Sequence, residues 1–216
     1  MATGYERIYQ SLLPRLAECD IVEQAKRLGF TPEGEDSARA VFLGRTFLIT
    51  PQGVDAIDDD SPALINNRSL LIYYMLAEGG IEPRYAFLPI ERMVGTIDGQ
   101  GEEEELHMKN ILLQESEGNY DIFAAAAEEM GGEYIGRLLG GECWQFMVLP
   151  KMPMRMVFFE ADEEFPAELN ILFDETAPYY LNFECSTFLA GGACRELTAI
   201  VQRQTGKEEN AYNLPN

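Results

Sequence analysis

The stretch CWQFMVLPKMPMRMVFFEADEEFPAELNILFD, residues Cys143 to Asp174, decides the fold. Cys143 to Leu149 and Met154 to Glu160 are two apolar runs rich in β-formers, joined by Pro150-Lys151-Met152-Pro153, and Leu169 to Phe173 is a third. Short apolar runs separated by turn residues predict an antiparallel meander. Met152, Met154 and Met156 alternate, so they share one strand face with Phe158. Thioethers can bind Cu(I), but a flexible Met-lined core wall needs no metal.

Upstream, Ala38 to Leu43 and Thr46 to Thr50 flank Gly44-Arg45 and predict a hairpin, with extended pieces at Val54 to Ile57 and Tyr85 to Ile90. Tyr5, Ile8, Tyr9, Leu12 and Leu16 recur at helical spacing over residues 4–17, where Pro14 should kink or shorten the helix. Asp20 to Glu23 reads as a capping box whose helix stops at Gly29. Asp58-Asp59-Asp60-Ser61-Pro62 reads as a helix entrance, with acids at the positive end of the dipole, and that helix carries Leu64, Leu71, Ile72, Met75 and Leu76 to Gly79-Gly80.

Gly95 to Gly101 is a flexible stretch, and Glu102 to Glu105 open a further helical run through Leu113. Asn119 or Asp121 caps a helix through Met130 that Gly131-Gly132 closes. Glu184 to Gln204 is helical, and Gly191-Gly192 within it signals close packing or a break. These elements predict an α+β fold: one domain over residues 1–204, with an antiparallel sheet fed by the early hairpin and the late meander. Helices near 62–79, 119–130 and 184–204 should cover it, and residues 205–216 form a loosely ordered tail.

The 216 residues hold 16 Lys and Arg against 37 Asp and Glu, a formal charge of −21, with 46% hydrophobic residues. Such a chain can build a core, and its charge opposes binding to bare nucleic acid or an anionic membrane. No apolar stretch is long enough to span a bilayer, and Met1 to Leu16 lacks the apolar run of a signal peptide, so a cytoplasmic location is expected. Cys19, Cys143, Cys185 and Cys194 show no C-x2-C spacing and read as free, buried thiols. Cys185 and Cys194 are nine apart, on opposite sides of a continuous helix, which excludes a disulfide between them.

The densest polar constellation is Glu160-Ala161-Asp162-Glu163-Glu164-Phe165-Pro166, followed by Asp174-Glu175. Crowded carboxylates raise one another's pKa, bind a hard cation, or act as a general acid and base pair. Glu160, Asp162, Glu163, Glu164 and Asp174 are therefore the candidate ligand-binding residues; the alternative is a solvated acidic turn with a capping Asp. The one His, His107, lies at helical spacing from Glu103 and Glu104 and reads as exposed decoration. A single His excludes sites that need two imidazoles, and nucleotide-binding and hydrolase signatures are absent. No catalytic residue, metal or cofactor is assigned.

Leu149-Pro150-Lys151-Met152-Pro153, the segment from Phe159 to Pro166, Ile171-Leu172-Phe173-Asp174 and Tyr180-Leu181 resemble, in order and spacing, the signature of the family catalogued as domain of unknown function 3786. The Tyr5 helix, the Phe42-Leu43-Gly44-Arg45 hairpin and the Leu70 to Leu76 helix are similar too, so the resemblance covers most of residues 4–200. Ala161 replaces the family's usual Gly, and Glu102 to Glu117 is atypical. The resemblance implies a setting in anaerobic redox or one-carbon metabolism and supplies no catalytic residue. Some members carry a four-Cys iron–sulfur module, which this sequence lacks. The expected function is a non-catalytic accessory protein that binds a small ligand or a redox partner through a pocket between meander and helices. The alternative is a divalent-metal enzyme built on Asp162, Glu163, Glu164 and Asp174.

Overall fold

The computed structural model describes residues 3–58, 64–92 and 100–207. The first helix, α1 (Gly4–Ala17), starts at Thr3, whose side chain accepts the Glu6 N–H while the Glu6 carboxylate accepts the Thr3 N–H. Pro14 sits inside it without ending it, because buried Leu12 and Leu16 hold both flanks of the missing hydrogen bond against the core. In α2 (Ile21–Leu28), Asp20 accepts the Glu23 N–H, and Gly29 closes the helix in the left-handed region at φ 87°.

Next come β1 (Thr31–Glu33), β2 (Ser37–Phe42), β3 (Arg45–Thr50) and β4 (Gly53–Ala56). The β2–β3 turn is Leu43-Gly44, both at positive φ, the geometry whose twist matches a two-residue hairpin. Asp58 serves this sheet rather than a helix entrance: it accepts the Thr46 N–H at 2.8 Å and the Arg45 guanidinium at 3.3 Å. Asp59 to Ala63 lie outside the described residues, so the rest of that predicted entrance does too.

Helix α3 (Ile65–Met75) follows Leu64, which makes no side-chain cap, and ends before the predicted Gly79. Residues of α2 take its last carbonyl and one just beyond it: Gln24 Nε2 donates to Met75 O at 3.1 Å, and Arg27 Nη2 to Ala77 O at 2.8 Å. Partners outside the helix thus satisfy the terminus early.

The second half contains β5 (Phe87–Pro89), α4 (Gln100–Glu115), α5 (Tyr120–Glu129), β6 (Glu133–Leu138), β7 (Gly141–Leu149), β8 (Met152–Phe159), β9 (Glu168–Asp174) and α6 (Phe183–Thr205). Asn119 caps α5 by accepting the Asp121 and Ile122 N–H groups. The fold is α+β, as expected, but hairpin and meander lie in two antiparallel sheets, ordered β1-β2-β3-β4 and β5-β9-β8-β7-β6. One hydrophobic core spans both, containing Phe42 and Phe47 of the first sheet and Met152, Met154, Met156 and Phe158 of the second. Strands β1 and β6 have no counterpart in the sequence reading. A register shift between Tyr134 and Gly136 and a largely exposed pattern remove the alternation that would mark β6.

Gly191 and Gly192 continue α6 rather than breaking it. A Cβ on Gly192 would stand 3.1 Å from Leu43 Cδ1, so the helix passes close to the β2–β3 turn. Gly132, between α5 and β6, is tighter: a Cβ there would lie 2.6 Å from Phe146 Cε1 and 2.8 Å from the Ala127 carbonyl oxygen. Gly132→Ala is expected to lose about 1–3 kcal/mol through overpacking, read as a lower urea midpoint at unchanged slope. No described helix is long and apolar enough to cross a membrane.

Candidate functional site

The acidic segment from Glu160 to Pro166 joins β8 to β9. Asp162 accepts the N–H groups of Glu164 at 2.8 Å and Phe165 at 2.7 Å, and its own N–H donates to Phe165 O at 2.9 Å. This is a side-chain-stabilised turn, and its two backbone donors hold the Asp162 carboxyl below its ordinary value. Glu160, Glu163 and Glu164 point into solvent, and Phe165 beside them is 65% exposed.

Asp174 lies elsewhere. It closes β9 whereas Glu168 opens it, a separation of roughly 20 Å at strand rise. Its side chain is fully buried and accepts the Thr176 hydroxyl at 2.6 Å and the N–H groups of Thr176, Ala86 and Arg84 at 3.0, 3.1 and 3.2 Å. Burial pushes its carboxyl up, but these donors together outweigh burial and hold it below the usual carboxylate range. Asp174 thus fastens the chain entering β5 to the end of β9. The structure gathers Glu160, Asp162, Glu163 and Glu164 in one turn and separates them from Asp174. Among the described residues, no group of three or more His, Cys, Asp or Glu is placed to hold a metal ion.

His107 is exposed on α4, as its sequence context suggests. None of the four cysteines is in a disulfide; Cys143, Cys185 and Cys194 are buried and Cys19 is half-buried. Burial pushes the Cys143 and Cys185 thiols up, the latter to about 12, away from reactive thiolate.

The meander's helix-facing side is filled by the methionines and Phe158, so the expected pocket between meander and helices is occupied by core. Sequence reasoning missed the opposite face. Cys143 and Val157 are paired across β7 and β8, and with Leu172 they form a second apolar cluster against which Phe87, Leu138 and Phe159 pack. Among the described residues, every member of this cluster belongs to the sheet itself. The Arg155 guanidinium lies 3.9 Å over the Phe87 ring and donates to Gln145 at 3.1 Å, which keeps its charge at the surface of the patch. Beside Val157 and Phe159, a hollow of about 180 Å³ opens between Pro89, Lys109, Leu139 and Asn170. Leu139 and Met147 stand 82% and 51% exposed.

The missed signal lay in the strands themselves. Val157, Phe159 and Leu172 are as apolar as their alternating neighbours, and runs apolar at both parities mark sheets meant to be covered on both sides. The acidic turn continues directly from Phe159, so Glu160, Asp162, Glu163, Glu164 and Phe165 border this face.

The family model described as domain of unknown function 3786 matches residues 20–196, from the cap of α2 well into α6. No curated protein and no solved structure matches the chain.

Proposed function

The chain belongs to the family of domain of unknown function 3786, and from that premise we propose a non-catalytic accessory protein that docks a protein partner on the outer face of its five-stranded sheet. The observation that carries this reading is the exposure of Leu139 and Met147, 82% and 51%, on the side of the sheet where Cys143, Val157 and Leu172 form a buried second apolar cluster. Exposed apolar patches bordered by charge mark interaction sites on folded domains.

Glu160, Asp162, Glu163 and Glu164 at the edge, on a chain of charge −21, favour a partner with a basic rim, whose approach they steer. Phe165 supplies an exposed ring beside them. The partner belongs to the anaerobic redox or one-carbon setting that the sequence resemblance implies.

A benzoylphenylalanine crosslinker placed at Leu139 or Met147, in full-length protein within anaerobic cells of the native host, is expected to trap one discrete adduct. The same group at Ile57 or Val41, exposed at the other sheet, should not. Glu163→Lys with Glu164→Lys should weaken the adduct, and so should raised salt in lysate. Equal adducts from all four positions, or none from the sheet face, would refute the reading.

A further inference from the structure

Arg155 stands on the outer face of the central strand β8, where it pairs with Gln145 of β7 and Leu172 of β9. Its Nε donates to Gln145 Oε1 at 3.1 Å, and its guanidinium lies 3.9 Å over the Phe87 ring. These contacts fix the plane of the fork while using only its Nε donor. Nη1 and Nη2 donate to no described residue, no described carboxylate pairs with them, and on a half-buried side chain neither is sealed from solvent.

The ground around this cation is apolar and accessible. Met147, two residues along β7 from Gln145, is exposed, and Tyr85 is 55% exposed with its ring 6.4 Å from that of Phe87. Tyr85 holds a left-handed φ of 57°, a region that L side chains enter at a cost. The Asp174 carboxylate enforces it by accepting the N–H groups on either side, those of Arg84 and Ala86. Backbone strain that keeps an aromatic ring half in water gathers at binding surfaces.

Charge decides what can cover this ground. A purely apolar surface laid over Arg155 would strip its water and return no counter-charge, a loss that removing the charge would relieve. The planar fork matches the two oxygens of a carboxylate. One guanidinium balances one negative charge, and Glu160, Asp162, Glu163 and Glu164 at the border of this face, on a chain of −21, oppose a phosphate dianion.

We infer that Arg155 anchors the docking face and that the partner protein meets it with an Asp or Glu carboxylate set among apolar side chains, which Tyr85, Phe87 and Met147 receive. The anchor rests on the docking proposed above and specifies its partner: one acid in an apolar patch, inside a basic rim. Arg and Tyr are residues on which such interfaces concentrate their binding energy.

Arg155→Met exchanges the charge for an apolar side chain. With benzoylphenylalanine at Leu139, in the β6–β7 turn, the adduct should fall at least about tenfold in Arg155→Met, and Arg155→Lys should restore part of it. A face that docks by apolar contact alone would give more adduct with Met, not less. Purified full-length protein supplies a second arm, read by NMR. Phenylacetate should move the Arg155 Nε–H signal and the Phe87 and Met147 amide signals saturably, about fivefold tighter than phenylethanol, and Arg155→Met should erase that preference. Tyr85→Asn, more at ease in the left-handed region, should keep the melting midpoint and still weaken the adduct. An adduct that is unchanged or stronger in Arg155→Met overturns the anchor and leaves docking standing. Equal affinity for acid and alcohol, or no saturable shift with either, overturns it as well. Selective binding of the acid with no adduct in the unsubstituted chain overturns both, because the carboxylate is then that of a free small acid.

Discussion

Asp174→Ala is expected to destabilise the protein by about 3–5 kcal/mol, a large part of the roughly 5–15 kcal/mol that holds a typical domain folded. Four donors converge on this carboxylate: the N–H groups of Arg84, Ala86 and Thr176 and the Thr176 hydroxyl. Removing the acceptor leaves them dehydrated with nothing to bond, which costs more than the net worth of the bonds themselves. The chain entering β5 would lose its anchor, and pairing of Phe87 to Pro89 with β9 should fray first.

The same residue predicts an acid limb. Its carboxyl is held below the ordinary aspartate range in the folded state, so the unfolded chain binds its proton more readily. The stabilisation is therefore fully present above the unfolded value, near pH 4, and is lost as pH falls through the lower, folded one. Asp174→Asn cannot titrate there. Urea unfolding from pH 7 to pH 2.5 should show wild type and Asp174→Asn converging as the pH falls below 4. A gap that stays constant across that range would mean Asp174 does not carry its charge in the fold.

Phe158→Ala should lose about 3–5 kcal/mol by leaving a cavity in the densest part of the core. Phe158 is fully buried, stacks on Phe123 of α5 at 4.9 Å between ring centroids, and lies 6.1 Å from the Tyr120 ring. It therefore ties the central strand β8 to the helix that precedes the meander. Phe159, the next residue, points to the opposite face and is half-buried, so Phe159→Ala should cost about 1–2 kcal/mol, in proportion to the smaller apolar area it hides. Urea midpoints of the two variants measure which face of the sheet carries the core. Equal losses would place the second apolar cluster inside the fold and remove the basis for partner docking.

Much of the architecture was legible because local chemistry and tertiary packing agree. The Met152, Met154, Met156 and Phe158 alternation fixed one face of β8, Asn119 began a helix where its side chain accepts the first N–H groups, and Gly29 ended one where its missing Cβ allows the left-handed turn. Where the two disagree, the tertiary partner prevails. Asp58 bonds to Thr46 and Arg45 across the hairpin instead of serving a helix, and α3 stops early because Gln24 and Arg27 reach its carbonyls from residues some fifty positions earlier.

The candidate site shows the same division. Sequence located an acidic cluster at residues 160–175 and offered two readings, ligand set or capped turn. Strand β9 settles their geometry by holding Asp174 at the far end from the turn, buried among backbone donors that no linear pattern brings together.

By itself the sequence determined the α+β class, the meander and the acidic composition, because composition and short-range periodicity act within a few residues. Only the tertiary structure decided that hairpin and meander form separate sheets and that the outer face of the meander carries an apolar cluster of its own. It also assigned the acids, one to a buried fastening and four to a solvated turn. Those outcomes depend on which distant groups meet, and burial and hydrogen bonding are properties of the meeting rather than of either residue.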